Sequence, residues 1–159
     1  MSNNIAYAFP WPGWVMTNNY THHTAPAQFV EAAGICFAYR RFGAKLDIQL
    51  LFFMRFTGTM DHWDPAVTDG FAQDREVILF DNAGVSSSSG EVPTSLEEMA
   101  QHAAAFIDAF GIKKLDALAF SIGGFVAQQF TDRPDLVRKL ILVGTGPRSG
   151  EGMASLITN

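Results

Sequence analysis

Leu118-Ala119-Phe120-Ser121-Ile122-Gly123-Gly124-Phe125-Val126-Ala127 carries one apolar run into a serine and two glycines and then into a second apolar run. A serine on a tight strand-to-helix corner has its hydroxyl pushed out at the carboxyl end of a sheet, with the next N–H free to meet an anion. The pattern here is A-x-S-x-G, in which Ala119 stands where the nucleophile-elbow spelling G-x-S-x-G has its first glycine. The competing reading is a serine N-cap, since Ser, Thr, Asp and Asn open helices routinely. The five residues alone weigh the two readings equally, so the rest of the chain decides.

Strand and helix signals alternate on both sides of that corner. Phe29-Val30-Glu31, a turn over Ala32 to Gly34, and then Ile35, Phe37 and Tyr39 alternating with Cys36, Ala38 and Arg40 predict an antiparallel hairpin. Gly43 to Leu46 reads as a loop, and Ile48 to Met54 is almost continuously apolar, as a strand buried on both faces should be. Asp64-Pro65 supplies an N-cap and a first-turn proline for a helix. Glu76 to Phe80 is the next strand, followed by a polar loop from Asp81 through four serines to Gly90.

Thr94 and Glu97 have capping-box spacing, and Leu96, Met99, Ala103, Phe106 and Phe110 form one apolar stripe on a helix closed by Gly111. His102 falls beside that stripe and reads as a flank residue rather than a base. Leu115 to Phe120 leads into the corner, its helix ends before Pro134, and Leu140 to Val143 is the last strand. The expected fold is α/β: a mostly parallel sheet with flanking helices, entered by an antiparallel hairpin. Loops at the carboxyl edge of such a sheet build the site, so Arg55 to Gly58, Asp81 to Gly90, Ser121 to Gly124 and Gly144 to Ser149 should converge.

Composition narrows the partners. The 159 residues, 48% of them hydrophobic, suffice for one core, and a net charge of −5 with scattered basic residues offers no footprint for nucleic acid or anionic lipid. Residues 1–24 read as an irregular arm and 25–159 as a partial domain. The arm lacks a basic start and its prolines interrupt the only apolar run, so no secretory signal is expected. No stretch approaches the ~18 consecutive apolar residues of a membrane span. The single Cys36 has no internal partner and no metal-ligand spacing, which fits a cytoplasmic protein, and it reads as a strand residue facing the core. Adjacent His22 and His23 read as solvated rather than as metal ligands.

Other chemistries fit less well. Gly144-Thr145-Gly146 starts like a dinucleotide fingerprint but meets Pro147 and has no third glycine. No G-x-x-x-x-G-K loop and no H-E-x-x-H pair is present, so neither cofactor nor metal is expected.

Four separated phrases together resemble the α/β-hydrolase superfamily: Leu50 to Gly58 with Trp63, Phe80 to Val85, Phe120 to Gly124 with Gln128, and Leu140 to Thr145. The resemblance runs from about Thr24 to the end of the chain and is strongest to the branch of cofactor-free haloperoxidase-type and ester-cleaving enzymes. It implies Ser121 as nucleophile, with the oxyanion held by the N–H of Ile122 and a second N–H from Phe56. The family usually writes His-Gly before that second donor, whereas Met54 and Arg55 stand here, with Arg55 expected to point to solvent. Serine in the nucleophile seat separates the chain from the dehalogenase and epoxide-hydrolase branches, which use aspartate there.

The order implied by the family is serine, acid, histidine, yet no histidine follows Ser121, and Asp132, Asp135 and Glu151 do not match the acid's place. The chain is therefore expected to resemble an amino-terminal portion, ending after about the sixth strand with an open apolar edge at Leu140 to Val143. Three functions are in view. One is ester or acyl hydrolysis of a small ester-like substrate through Ser121, inactive or weak in this chain. The second is a binding module that docks or self-associates through its open edge, and the third is a fragment without a stable role.

Overall fold

The computed structural model describes residues 19–148. Its elements follow the order read from the sequence: β1 (Gln28–Ala32), β2 (Ile35–Gly43), β3 (Gln49–Phe53), α1 (Pro65–Ala72), β4 (Glu76–Phe80), α2 (Leu96–Ala109), β5 (Leu115–Phe120), α3 (Ile122–Gln128) and β6 (Val137–Val143). They form one six-stranded sheet in the order β1-β2-β4-β3-β5-β6. β1 and β2 are antiparallel, β2 joins β4 antiparallel, and β4, β3, β5 and β6 run parallel. The hairpin turns on Ala33 and Gly34, both at positive φ, 51° and 78°, the turn whose twist matches its strands.

Apolar runs in the central strands serve two cores at once. Because successive side chains alternate faces, Leu51 and Phe53 of β3 join Ile78, Phe80, Ala117 and Phe106 under α2 and α3. Leu50 and Phe52 join Val77, Leu79, Trp63 and Phe42 on the opposite face, where Phe71 of α1 packs. Phe106 is the hub of the first core: it stacks on Phe80 with centroids 4.7 Å apart and meets Phe37 and Tyr39 edge-on.

Three local expectations are corrected. The cap of α2 is Ser95, whose hydroxyl accepts from the Glu98 N–H at 3.1 Å, while the Glu98 carboxylate accepts from the Thr94 N–H at 2.9 Å. The Thr94/Glu97 pairing therefore lies one residue too early, because a neighbouring Ser–Glu pair at the same spacing wins. Cys36 is a strand residue but only half-buried, since it points away from the α2 core that takes Ile35, Phe37 and Tyr39. His22 is buried at 1% exposure, not solvated. Its Nδ1 lies 3.0 Å from the Thr68 hydroxyl, its N–H donates to Asp69 at 2.6 Å, and its ring meets Phe42 edge-on. The last residues of the expected arm thus fasten onto α1.

β6 is paired with β5 alone among the described residues. Its last three residues, Ile141, Leu142 and Val143, are 41 to 44% exposed, the open apolar edge anticipated from the sequence. No helix among the described residues is long and apolar enough to cross a membrane.

Candidate functional site

The corner between β5 and α3 departs from an ordinary capped helix start. Its backbone sits at φ 55°, ψ −124°, a region an L-residue occupies only under strain, and its side chain caps nothing. An N-cap serine takes extended backbone and spends its oxygen on an N–H two or three residues on. Ser121 does neither, and its hydroxyl, at the carboxyl end of β5, makes no hydrogen bond among the described residues. Ala119 fits in place of glycine with no exposure.

Close approach is supplied by the two glycines after the serine. A Cβ on Gly123 would lie 2.3 Å from the Phe53 carbonyl oxygen and 2.7 Å from that of Met54. One on Gly124 would lie 2.5 Å from the Thr145 side chain. Hydrogen at these positions lets α3 begin directly against the end of β3 and the loop after β6. Gln128 locks the second contact: its Nε2 donates to the Gly124 carbonyl at 3.0 Å and to that of Gly146 at 2.9 Å.

Phe56 and Ile122 are brought together. Both line one depression of about 290 Å³ with Val92, Pro93, Leu96 and Met99. Neither backbone N–H is used by a hydrogen bond among the described residues, and as the first residue of α3, Ile122 has no intrahelical partner for its own. Arg55 is half-buried, and its carbonyl accepts from the Gly58 N–H at 3.0 Å to turn the loop that carries Phe56.

Asp81, which the sequence marked as a loop start and as part of the Phe80 to Val85 phrase but gave no role, ties this loop down. It is fully buried, its Oδ1 accepts from the Met60 N–H at 2.6 Å and its own N–H donates to the Ala38 carbonyl at 3.0 Å. Burial pushes its carboxyl above the usual range, against the lowering effect of the Met60 bond. Ser88, from the serine run, is buried beside it and bridges the Ala38 N–H and the Asp81 carbonyl. The signal available in the sequence was an aspartate directly after the apolar run Val77 to Phe80.

None of the four histidines hydrogen-bonds Ser121 in the described residues. His22 is held by Thr68, the Nδ1 of His62 accepts from the Thr59 N–H, and His102 lies edge-on to Phe37. The buried carboxylates are also engaged elsewhere. Glu76 pairs with Arg41, and Asp116 accepts two bonds from Arg138 and one from Arg75, with Arg138 holding its carboxyl below the usual range. Asp132 pairs with Arg148 on the surface, and Glu151 lies outside the described residues. No cluster of metal-ligating side chains occurs among the described residues.

A strand order with a hairpin edge, a strained serine at the β5–α3 corner and glycines that seat it against β3 define an α/β-hydrolase architecture. Residues 50–156 match the family model described as alpha/beta hydrolase fold, and the chain belongs to that family. It is similar to the solved structure of an alpha/beta hydrolase fold protein from Chitinophaga pinensis. The two are 46% identical with a TM-score of 0.78, over 80% of this chain and 47% of that one. Two further relatives are 34% identical. One is the dihydrolipoyllysine-residue acetyltransferase component of the acetoin cleaving system of Cupriavidus necator, matched over 75% of this chain and 32% of its own length. The other is the homoserine O-acetyltransferase of Deinococcus radiodurans, matched over 40% and 19%. The chain thus spans less than half the length of each of these proteins.

Proposed function

We propose that these residues form the nucleophile half of a serine hydrolase acting on small esters or related acyl compounds. Ser121 attacks the carbonyl carbon, and the N–H groups of Ile122 and Phe56 receive the oxygen as it gains charge. The observation that carries this reading is the positive-φ backbone of Ser121 with a hydroxyl that caps nothing. A serine alcohol is a weak nucleophile until a base takes its proton, and no described histidine stands beside it. The acid and histidine therefore come from outside the described residues, and the chain by itself turns over slowly.

Exogenous imidazole tests the reading by standing in for the missing base. With p-nitrophenyl acetate, hydrolysis above the imidazole-only background should rise with imidazole concentration, and Ser121→Ala should remove that excess. An excess that survives Ser121→Ala contradicts the role of Ser121. A full-amplitude burst without imidazole contradicts the missing base.

A second reading is favoured by one observation, the Ile141-Leu142-Val143 edge left exposed among the described residues, which offers a strand ladder and an apolar strip to another copy of the chain. It is compatible with the first and is tested by mass in solution.

A further inference from the structure

We propose that the hollow at the amino-terminal edge of the parallel strands, opposite the Ser121 corner, binds a small monocarboxylate with an aromatic or alkyl body. The site is independent of the reading of Ser121. It is built where β1, β2, the β2–β3 loop, the first residues of β3 and β4 and the end of α2 meet. Its volume, about 510 Å³, falls within the range of small-ligand sites.

The charges lining the hollow leave one positive group without a partner. Glu76 is buried, and its carboxylate accepts from Arg41 Nε at 2.9 Å and from Gln49 Nε2 at 3.3 Å. Arg41 and Glu76 therefore neutralise each other, and both carboxylate oxygens are taken. Lys45, exposed on the rim, makes no ion pair among the described residues. One ammonium thus matches one negative charge, and a second carboxylate on the ligand would find no partner in the hollow. Asp47 lines the neighbouring hollow instead, where Lys113 and Lys114 outnumber it. Apolar surface lies open beside Lys45: Leu46 is 55% exposed, and Val30 and Phe110 are half-buried. Covering it favours an apolar body on the carboxylate. The floor is fixed before any ligand arrives. The Arg41 guanidinium lies 5.7 Å from the centre of the Phe110 ring, and that ring meets Tyr39 edge-on with centroids 4.7 Å apart, so binding orders little.

Titration of the full chain with 2-naphthoate tests the site, with naphthalene-2-methanol and 2-naphthylmethylammonium as the neutral and cationic comparisons. The Val30 and Ala109 methyl resonances, followed by NMR, should move to saturation, because both residues line the hollow and an aromatic ring shifts the methyls it lies against. At low salt the carboxylate should bind about fivefold tighter than the alcohol, the difference should shrink as salt is added, and the ammonium should bind weakest. Lys45→Glu should reverse that order, and Leu46→Asp should weaken 2-naphthoate about tenfold. Both positions are exposed, so neither substitution removes a core contact. Equal affinity for acid and alcohol, shifts that spare both methyls, or 2-naphthoate affinity unchanged in both variants overturns the proposal. So does the absence of saturable binding at millimolar 2-naphthoate. Because the hollow and Ser121 lie at opposite edges of the sheet, the imidazole experiment can fail while this titration succeeds, and the reverse.

Discussion

At Ser121 the backbone holds an unfavourable conformation that glycine would adopt freely. Ser121→Gly should therefore raise stability by about 1 kcal/mol, or roughly 2 to 4 °C in melting temperature for a chain of this size, while removing the imidazole-dependent hydrolysis. A variant that melts no higher than the parent argues against strain at the corner. His22 makes a different prediction. Burial lowers its pKa, so the unfolded chain binds the proton more readily than the native one and stability rises with pH through this range. Stability should be full above about pH 6.5 and fall as pH drops below it. Thermal melts should show a smaller acid-side decline in His22→Gln, and an identical decline would mean that His22 does not titrate in the fold. The sequence singled out Ser121 through a local motif, and Ile122 and Phe56 through the family resemblance. It hid the burial of His22, whose partner Thr68 is 46 residues away in the chain.

Element by element, hydrophobic period and glycine placement carried most of the information. Continuous apolar runs announced β3 and β4 because those strands face two cores, and alternation announced the hairpin. The start of α2 was read one residue early, since Thr94-Ser95 followed by Glu97-Glu98 offers two capping registers and only three-dimensional packing selects one. The contact between α3 and β3 is the tightest helix–strand approach at the site. Gly123→Ala should cost about 2 to 3 kcal/mol and displace Ile122 from Phe56, measured by chemical denaturation. A cost below a few tenths of a kcal/mol would show that the helix start has room to move. The β6 edge predicts association: apparent mass by light scattering should rise with concentration, and Leu142→Lys should hold the chain monomeric. A parent that stays monomeric throughout contradicts a sticky edge.

For the molecule as a whole, loops at one edge of the sheet bring the Ser121 corner, the N–H groups of Ile122 and Phe56 and an apolar hollow to one place, and none of the described histidines hydrogen-bonds Ser121. Candidate residues near Ser121 in sequence, or within a family phrase after a strand, could be named from the sequence. The wall from Val92 to Met99 was not, because Leu96 and Met99 serve the helix stripe in sequence and reveal a second, outward role only once α2 lies beside Ile122. The given residues hold no histidine after Ser121, so the sequence carried no signal for an acid and base at the family's positions. The most direct test of the account is intact-protein and peptide mass spectrometry after brief exposure to an activated hexanoyl ester with imidazole present. The account predicts a single hexanoyl adduct, located on Ser121 and lost in Ser121→Ala. An acyl group found only on lysines, or on Ser121 to the same extent after the protein is unfolded, would contradict it.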